Sequence, residues 1–292
     1  MGQSLQANLP AAALPLQGAD NGLRHARVLV AEDNAVNLEV ACFHLEDLDC
    51  SAVIAANGAI AVSLVEQGVF DFVLMDCQMP VMDGFQALDA IRALETRNSW
   101  RRCVILAVTA DDDAQSRAKC AAAGFDGFLA KPFSQAQLER ALLDCRDNRA
   151  SSTHMASTAG AAVEAPGSII DTDTYAAFVA DFGAETAGTL VQSFVKSLHE
   201  GKQRYVVACA TQDTQKLQSL AHKIAGAAGT VGAMTLAQSA RGIDGACKRG
   251  QFKWTTEIAQ FGSCLDATIA AFERLPGGMP WLPTSDRDNR VV

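Results

Sequence analysis

The sequence predicts two domains of different class: an α/β domain built on a five-stranded parallel sheet, then an all-α four-helix bundle. Apolar strand-like runs at 27–31, 52–56, 71–76, 103–108 and 126–130 alternate with longer stretches of helical spacing. Repeated βα units of this kind imply a parallel sheet covered by helices on both faces. After Ile170 the spacing is helical only, with segments near 172–182, 185–210, 213–229, 233–249 and 254–275, broken by Gly183, by Thr211-Gln-Asp213 and by glycines near 229 and 250. Short breaks between long amphipathic segments predict a bundle with a short leading helix. Residues 149–168, small, polar and aperiodic, read as a flexible linker with an r.m.s. span of about 25 Å. Residues 1–23 read as a disordered lead and 276–292 as a frayed tail, which leaves domains at 24–148 and 169–275.

Within the first domain the strand ends carry the chemistry. Phe72 to Met75 form a buried strand, Asp76 stands at its end, and Pro80 prevents the strand from continuing. Strand one ends in Glu32-Asp33, strand four in Thr109 and strand five in Lys131-Pro132. Open parallel sheets bind ligands at the carboxyl ends of their strands, so these residues are expected to converge on one rim. Any one acid there serves equally as a helix N-cap. Three carboxylates together would repel one another unless a cation joined them, and an all-oxygen cluster with room for water suits Mg²⁺.

Composition narrows the class. The net charge is −9, with 12 basic and 19 acidic residues in 24–149 but ten of each in 168–275, so neither half has the basic excess of a nucleic-acid-binding module. No stretch approaches the roughly 20 apolar residues of a membrane span, and the N-terminus lacks a secretory pattern, so the expected location is cytoplasmic. Nine cysteines without CxxC spacing read as reduced packing residues rather than disulfides or zinc ligands.

The motifs Val28-Leu-Val-Ala-Glu-Asp-Asn34, Asp76-Cys-Gln-Met-Pro-Val-Met-Asp-Gly84, Val108-Thr-Ala110 and Gly124-Phe-Asp-Gly-Phe-Leu-Ala-Lys-Pro132 together resemble a response-regulator receiver domain, a flavodoxin-like fold. The resemblance implies that Glu32, Asp33, Asp76 and the backbone carbonyl of Gln78 hold Mg²⁺, that Asp76 accepts the phosphoryl group, and that Thr109 and Lys131 grip its oxygens. Mg²⁺, an ammonium and a hydroxyl can neutralise charge on the equatorial oxygens without reacting, and an ionised aspartate needs no general base. Phe128, three residues before Lys131, is by the same resemblance a switch residue; in bare pattern it is an ordinary core aromatic.

In the second domain Leu217, Leu220, Ala221, Ile224 and Ala228 form one apolar stripe, and His222 falls roughly 140° from its centre, on the expected solvent side. Ala225, Gly226 and Gly229 follow it. Glycine costs up to about 1 kcal/mol relative to alanine in mid-helix, so glycines here either let a partner approach the imidazole or let helices pack closely. The segment Ala221-His-Lys-Ile-Ala-Gly-Ala-Ala-Gly-Thr-Val-Gly-Ala233 resembles the phosphohistidine helix of histidine phosphotransfer (HPt) domains. It departs from that family at Ala225, where lysine is usual, and Lys223 lies about 100° around the helix from His222. His25, His44 and His199 are expected to be surface or packing residues.

These resemblances imply a two-component phosphorelay, as in the C-terminal part of hybrid sensor histidine kinases: a kinase phosphohistidine donates to Asp76, and the group passes through His222 to another receiver. No segment resembles an ATP-binding kinase domain. The implied partners are a sensor histidine kinase and a downstream receiver. A second reading is a docking module whose bundle binds partners without transferring phosphate, favoured by Ala225. A nucleotide-binding flavodoxin-like domain fits poorly, because Glu32-Asp33-Asn34 stands where a glycine-rich phosphate loop would follow strand one.

Overall fold

A computed structural model of the chain describes residues 23–110, 112–148, 169–254 and 256–275. The expected linker and tail lie outside the described residues, as does the lead except Leu23, which is fully buried in the first domain's core.

Strands β1 (Arg27–Ala31), β2 (Ser51–Ala55), β3 (Phe72–Asp76), β4 (Val104–Thr109) and β5 (Gly127–Ala130) alternate with helices α1 (Ala35–Asp47), α2 (Gly58–Gln67), α3 (Gly84–Asn98), α4 (Ala114–Ala123) and α5 (Gln135–Asn148). The sheet is parallel throughout, in the order β2-β1-β3-β4-β5. Side chains alternate across it. Phe72 and Leu74 join Leu45, Leu138 and Leu142 on the α1/α5 face, while Val73 and Met75 join Leu88, Ile91 and Cys120 on the α2/α3/α4 face. Burial on both sides is why β3 and β4 read as unbroken apolar runs.

Local signals set the helix starts around the rim. Asn34 caps α1, its Oδ1 accepting from the amides of Val36 and Asn37, and Asp83 forms a capping box with Gln86 at α3. At Gly84 any Cβ would collide with the carbonyl oxygen of Asp76, so only glycine lets α3 begin against the end of β3.

Helices α6 (Thr172–Phe182), α7 (Ala184–Thr211), α8 (Thr214–Thr230), α9 (Met234–Lys248) and α10 (Thr256–Glu273) form the second unit. Its core combines the rings of Tyr175, Phe178, Phe194, Phe261 and Phe272 with Leu217, Ile224, Leu236 and Leu265.

The two units are packed together. Val36 and Val40, on the outer face of α1, belong to the bundle's apolar cluster, and the Phe43 ring lies 4.9 Å from that of Phe182 on α6. Polar contacts flank this seam: Ser193 donates to Glu39 at 3.3 Å, and Asn34 Nδ2 donates to the Lys223 carbonyl at 3.1 Å.

His44, expected to be a surface or packing residue, is buried in this seam with its ring 4.9 Å from that of Phe182. Burial lowers its pKa, against the raising influence of Asp181 and the Phe133 backbone. A histidine whose pKa is lowered on folding adds stability that is present above its unfolded pKa, about 6.5, and is lost as pH falls. Acidification from pH 7.5 to 5.5 should therefore loosen this contact in the wild type and much less in His44→Phe, as read by thermal unfolding at both pH values.

Candidate functional site

The rim at the carboxyl ends of β1, β3, β4 and β5 gathers the predicted residues. Glu32 and Asp33 follow β1, Asp76 closes β3, Thr109 closes β4 and Lys131 follows β5, joined to Pro132 by a cis peptide. Lys131 Nζ donates to Asp76 Oδ2 at 2.7 Å and to Glu32 Oε2 at 2.5 Å, all three side chains being buried. Asp76 Oδ1 accepts from the Gln78 amide at 3.0 Å. Thr109 is buried beside them, and its carbonyl accepts from the Lys131 amide at 2.7 Å.

Electrostatics inside this cluster follow from burial. Desolvation is the largest influence on Glu32; although Lys131 opposes it, the carboxyl is pushed up to about 7. Burial alone would lower the Lys131 ammonium, but Asp76 and Glu32 more than reverse that and raise it. The lysine therefore stays charged.

Oxygens of Glu32, Asp33 and Asp76 lie within 4.8 Å of one another. Asp33 Oδ2 is ion-paired with Lys223 Nζ at 2.6 Å. An all-carboxylate set of this kind fits a hard divalent cation. Because such a cation must displace the proton on Glu32, Mg²⁺ should bind roughly tenfold more weakly at pH 6 than at pH 8. Calorimetric titration in two buffers of different ionisation enthalpy reads both the affinity and the released proton.

Phe128 is half-buried on β5, and the Arg117 guanidinium lies 4.7 Å from its ring centroid.

His222 lies on α8, on the side turned away from the bundle's apolar stripe, but it is not exposed to solvent. It is only 7% accessible because the first domain covers it: Glu32, Asp33, Asp76, Lys131 and His222 line one small cavity. A wider cleft of about 680 Å³, bordered by Cys77, Gln78, Lys119 and His222, adjoins it. The small residues after His222 permit this approach. A Cβ on Gly226 would lie 3.0 Å from Asn37 Nδ2 of α1, and one on Gly229 would lie 3.4 Å from Pro132 Cδ. Ala225 is buried in the bundle's core, a place where a lysine would be stranded.

Two residues beside His222, Asp244 and Lys248, are not marked in the sequence. Asp244, on α9, accepts from His222 Nδ1 at 3.0 Å through Oδ2, which also pairs with Lys248 at 2.8 Å. Burial would raise the Asp244 carboxyl, but His222 and Lys248 outweigh it and hold the group below its ordinary range. An ionised acceptor at Nδ1 fixes the proton there and leaves the lone pair on Nε2. Lys223, 100° around the helix by spacing, is turned onto Asp33. Nothing in the α9 sequence marks Asp244, because its register against α8 is a tertiary property.

A family model for the response regulator receiver domain matches residues 28–143, and one for the Hpt domain matches residues 189–275. The chain carries a receiver domain followed by an Hpt domain. The sensor protein GacS of Pseudomonas syringae pv. syringae is 32% identical over 215 residues, covering 70% of this chain and 22% of that protein. The sensor histidine kinase GacS of Pseudomonas protegens is 28% identical over 257 residues, covering 86% of this chain and 27% of that protein. The chain thus spans about a quarter of these curated relatives. Among solved structures, the receiver domain of a sensor histidine kinase of Pseudomonas aeruginosa, with a magnesium ion coordinated in its active site cleft, is 39% identical, covering 41% of this chain and 95% of that one with a TM-score of 0.38. Among the described residues no helix is long and apolar enough to cross a membrane.

Proposed function

We propose that Asp76 accepts a phosphoryl group from a phosphohistidine donor, and that His222 of the same chain exchanges this group with Asp76 within the docked pair of domains. The observation that carries this reading is the small cavity that Asp76 and His222 both line. Glu32, Asp33, Asp76 and the Gln78 carbonyl would hold Mg²⁺, which when bound supplies positive charge to the phosphoryl oxygens.

This chain's own residues do the rest. Lys131 holds Oδ2 of Asp76 and offers its charge to the incoming group, while Thr109, at the end of the neighbouring strand, supplies a hydroxyl. As the donor P–N bond breaks, its electron pair returns to the donor imidazole, and an Asp76 carboxylate oxygen forms the new O–P bond. In the second step the Nε2 lone pair of His222 attacks phosphorus and the O–P pair returns to Asp76. Asp244 holds the Nδ1 proton and stabilises the positive charge that develops on the ring. From His222 the group passes to another receiver; the first donor is a sensor histidine kinase.

A docking module that transfers nothing would keep the domain contact but would not need Nε2 free. The test follows the chemical class of the label. With acetyl phosphate and Mg²⁺, base-labile acyl phosphate is expected first, followed by acid-labile, base-stable phosphohistidine in the same chain. Acyl phosphate that never becomes phosphohistidine would select the docking module.

Asp244→Asn gives a graded check on the second step. The amide keeps the size but can present its NH₂ to Nδ1, favouring the wrong tautomer, so transfer to His222 should slow by about 10- to 100-fold while Asp76 labels normally. Quenched-flow separation of the two label classes reads both rates.

A further inference from the structure

The receiver domain contains two thiols that phosphoryl chemistry leaves unused. Cys77 follows Asp76 directly, Cys120 lies midway along α4, and their sulfurs are 3.9 Å apart. Both are buried, at 6% and 2% accessibility. The two are anchored very differently. The Cys77 amide donates to the Val108 carbonyl at 3.0 Å and its carbonyl accepts from Gly84 at 3.3 Å, which fixes it to β4 and α3. Every residue of α4 is described, and Cys120 is the only one of them that is buried.

The Lys119 ammonium, next to Cys120 in the chain, adds positive charge that favours a thiolate there. Cys77 and Lys119 border the wide cleft between the domains, which gives a small polar oxidant a route inward.

We propose that Cys77 and Cys120 form a peroxide-reactive dithiol whose oxidation to a disulfide pins α4 to the phosphoacceptor strand. The Cys120 thiolate attacks a hydroperoxide, breaking the O–O bond to give Cys120 sulfenic acid and an alcohol, or water from hydrogen peroxide. The Cys77 sulfur then displaces the sulfenic oxygen, which leaves as water as the S–S bond forms. The two sulfurs lose two electrons, and the peroxide gains them. Closing from 3.9 Å to a bond of about 2.05 Å requires movement, which falls on α4 because Cys77 is held through both its main-chain groups. Cys77 directly follows Asp76, so the linked pair ties α4 to the end of β3 and restrains how Asp76 shifts when it takes a phosphoryl group. That consequence rests on the function proposed above; the disulfide itself does not.

The test treats the full chain with graded hydrogen peroxide, alkylates remaining thiols and maps peptides without reductant. A peptide linking Cys77 to Cys120, about 2 Da lighter than its reduced halves, is expected in wild type. It should disappear with dithiothreitol and be absent from Cys120→Ser and Cys77→Ser. In the oxidised wild type, Asp76 labelling by acetyl phosphate should slow roughly threefold or more, while Cys120→Ser, treated or untreated, labels like the reduced wild type. Full alkylation of Cys77 and Cys120 after peroxide treatment would overturn the proposal, as would linkage of either to another cysteine. A correct disulfide with unchanged labelling would overturn the pinning. If Asp76 fails to label even in reduced wild type, the phosphoacceptor assignment fails, and the peptide map still decides the redox pair.

Discussion

Asp76→Asn, supplied with acetyl phosphate and Mg²⁺, is expected to carry label at neither Asp76 nor His222, with both signals below about one per cent of wild type. The substitution preserves the shape of a buried side chain but removes the anionic oxygen that attacks phosphorus. Lys131 keeps Glu32 as a partner at 2.5 Å, so the ammonium is not stranded and the domain should remain folded. His222 loses its label too, because it is buried and lines the cavity shared with Asp76, so its label comes by way of Asp76. His222→Gln is the complement: Asp76 labels, and base-stable label vanishes. Label retained on the receiver domain of Asp76→Asn would refute the assignment of Asp76.

Gly226→Gln should slow transfer from Asp76 to His222 at least tenfold while leaving acquisition of label by Asp76 unchanged. A Cβ at this position already lies 3.0 Å from Asn37 Nδ2, and the rest of a glutamine has no room unless α1 withdraws from α8. Asn37 is itself tied to Glu32 Oε1 at 3.3 Å, so withdrawal shifts the acidic rim away from the imidazole. A misplacement of about 1 Å can cost a hundredfold in such a reaction. Helix stability moves the other way, since replacing a mid-helix glycine favours α8 by up to about 1 kcal/mol. Slower transfer in a bundle that melts no lower would separate lost domain contact from lost fold. Unchanged transfer would show that the small residue serves packing within the Hpt domain alone.

The sequence made the receiver half legible because its chemistry is local to strand ends. Each strand run fell within one residue of the observed strand, and Glu32, Asp33, Asp76, Thr109 and Lys131 occupy the ends predicted for them. Periodicity also found the helices of the bundle and the face of α8 that bears His222. Its exposure was misjudged for a physical reason: helical spacing separates a core face from an outer face, and says nothing about what covers the outer one. The same blind spot hid Asp244, whose contact with His222 depends on how α9 is rotated against α8, and the two sulfurs of Cys77 and Cys120, which meet only after α4 folds back onto the sheet. Lys223, about 100° from His222 by spacing, still reaches Asp33 across the seam because a four-carbon side chain can swing.

The placement of Val36 and Val40 in the bundle's cluster has a consequence for traffic through the molecule. While α1 rests on α8, each reactive group screens the other, so an outside donor or acceptor finds the gate shut. With the two domains on one chain and packed together, a visiting protein competes with a partner that is always at hand, and succeeds only if it binds far more tightly or arrives during an opening. The throughput of the chain is then governed by how often its halves part company, and agents that wedge this seam open should speed exchange with strangers even as they slow exchange within.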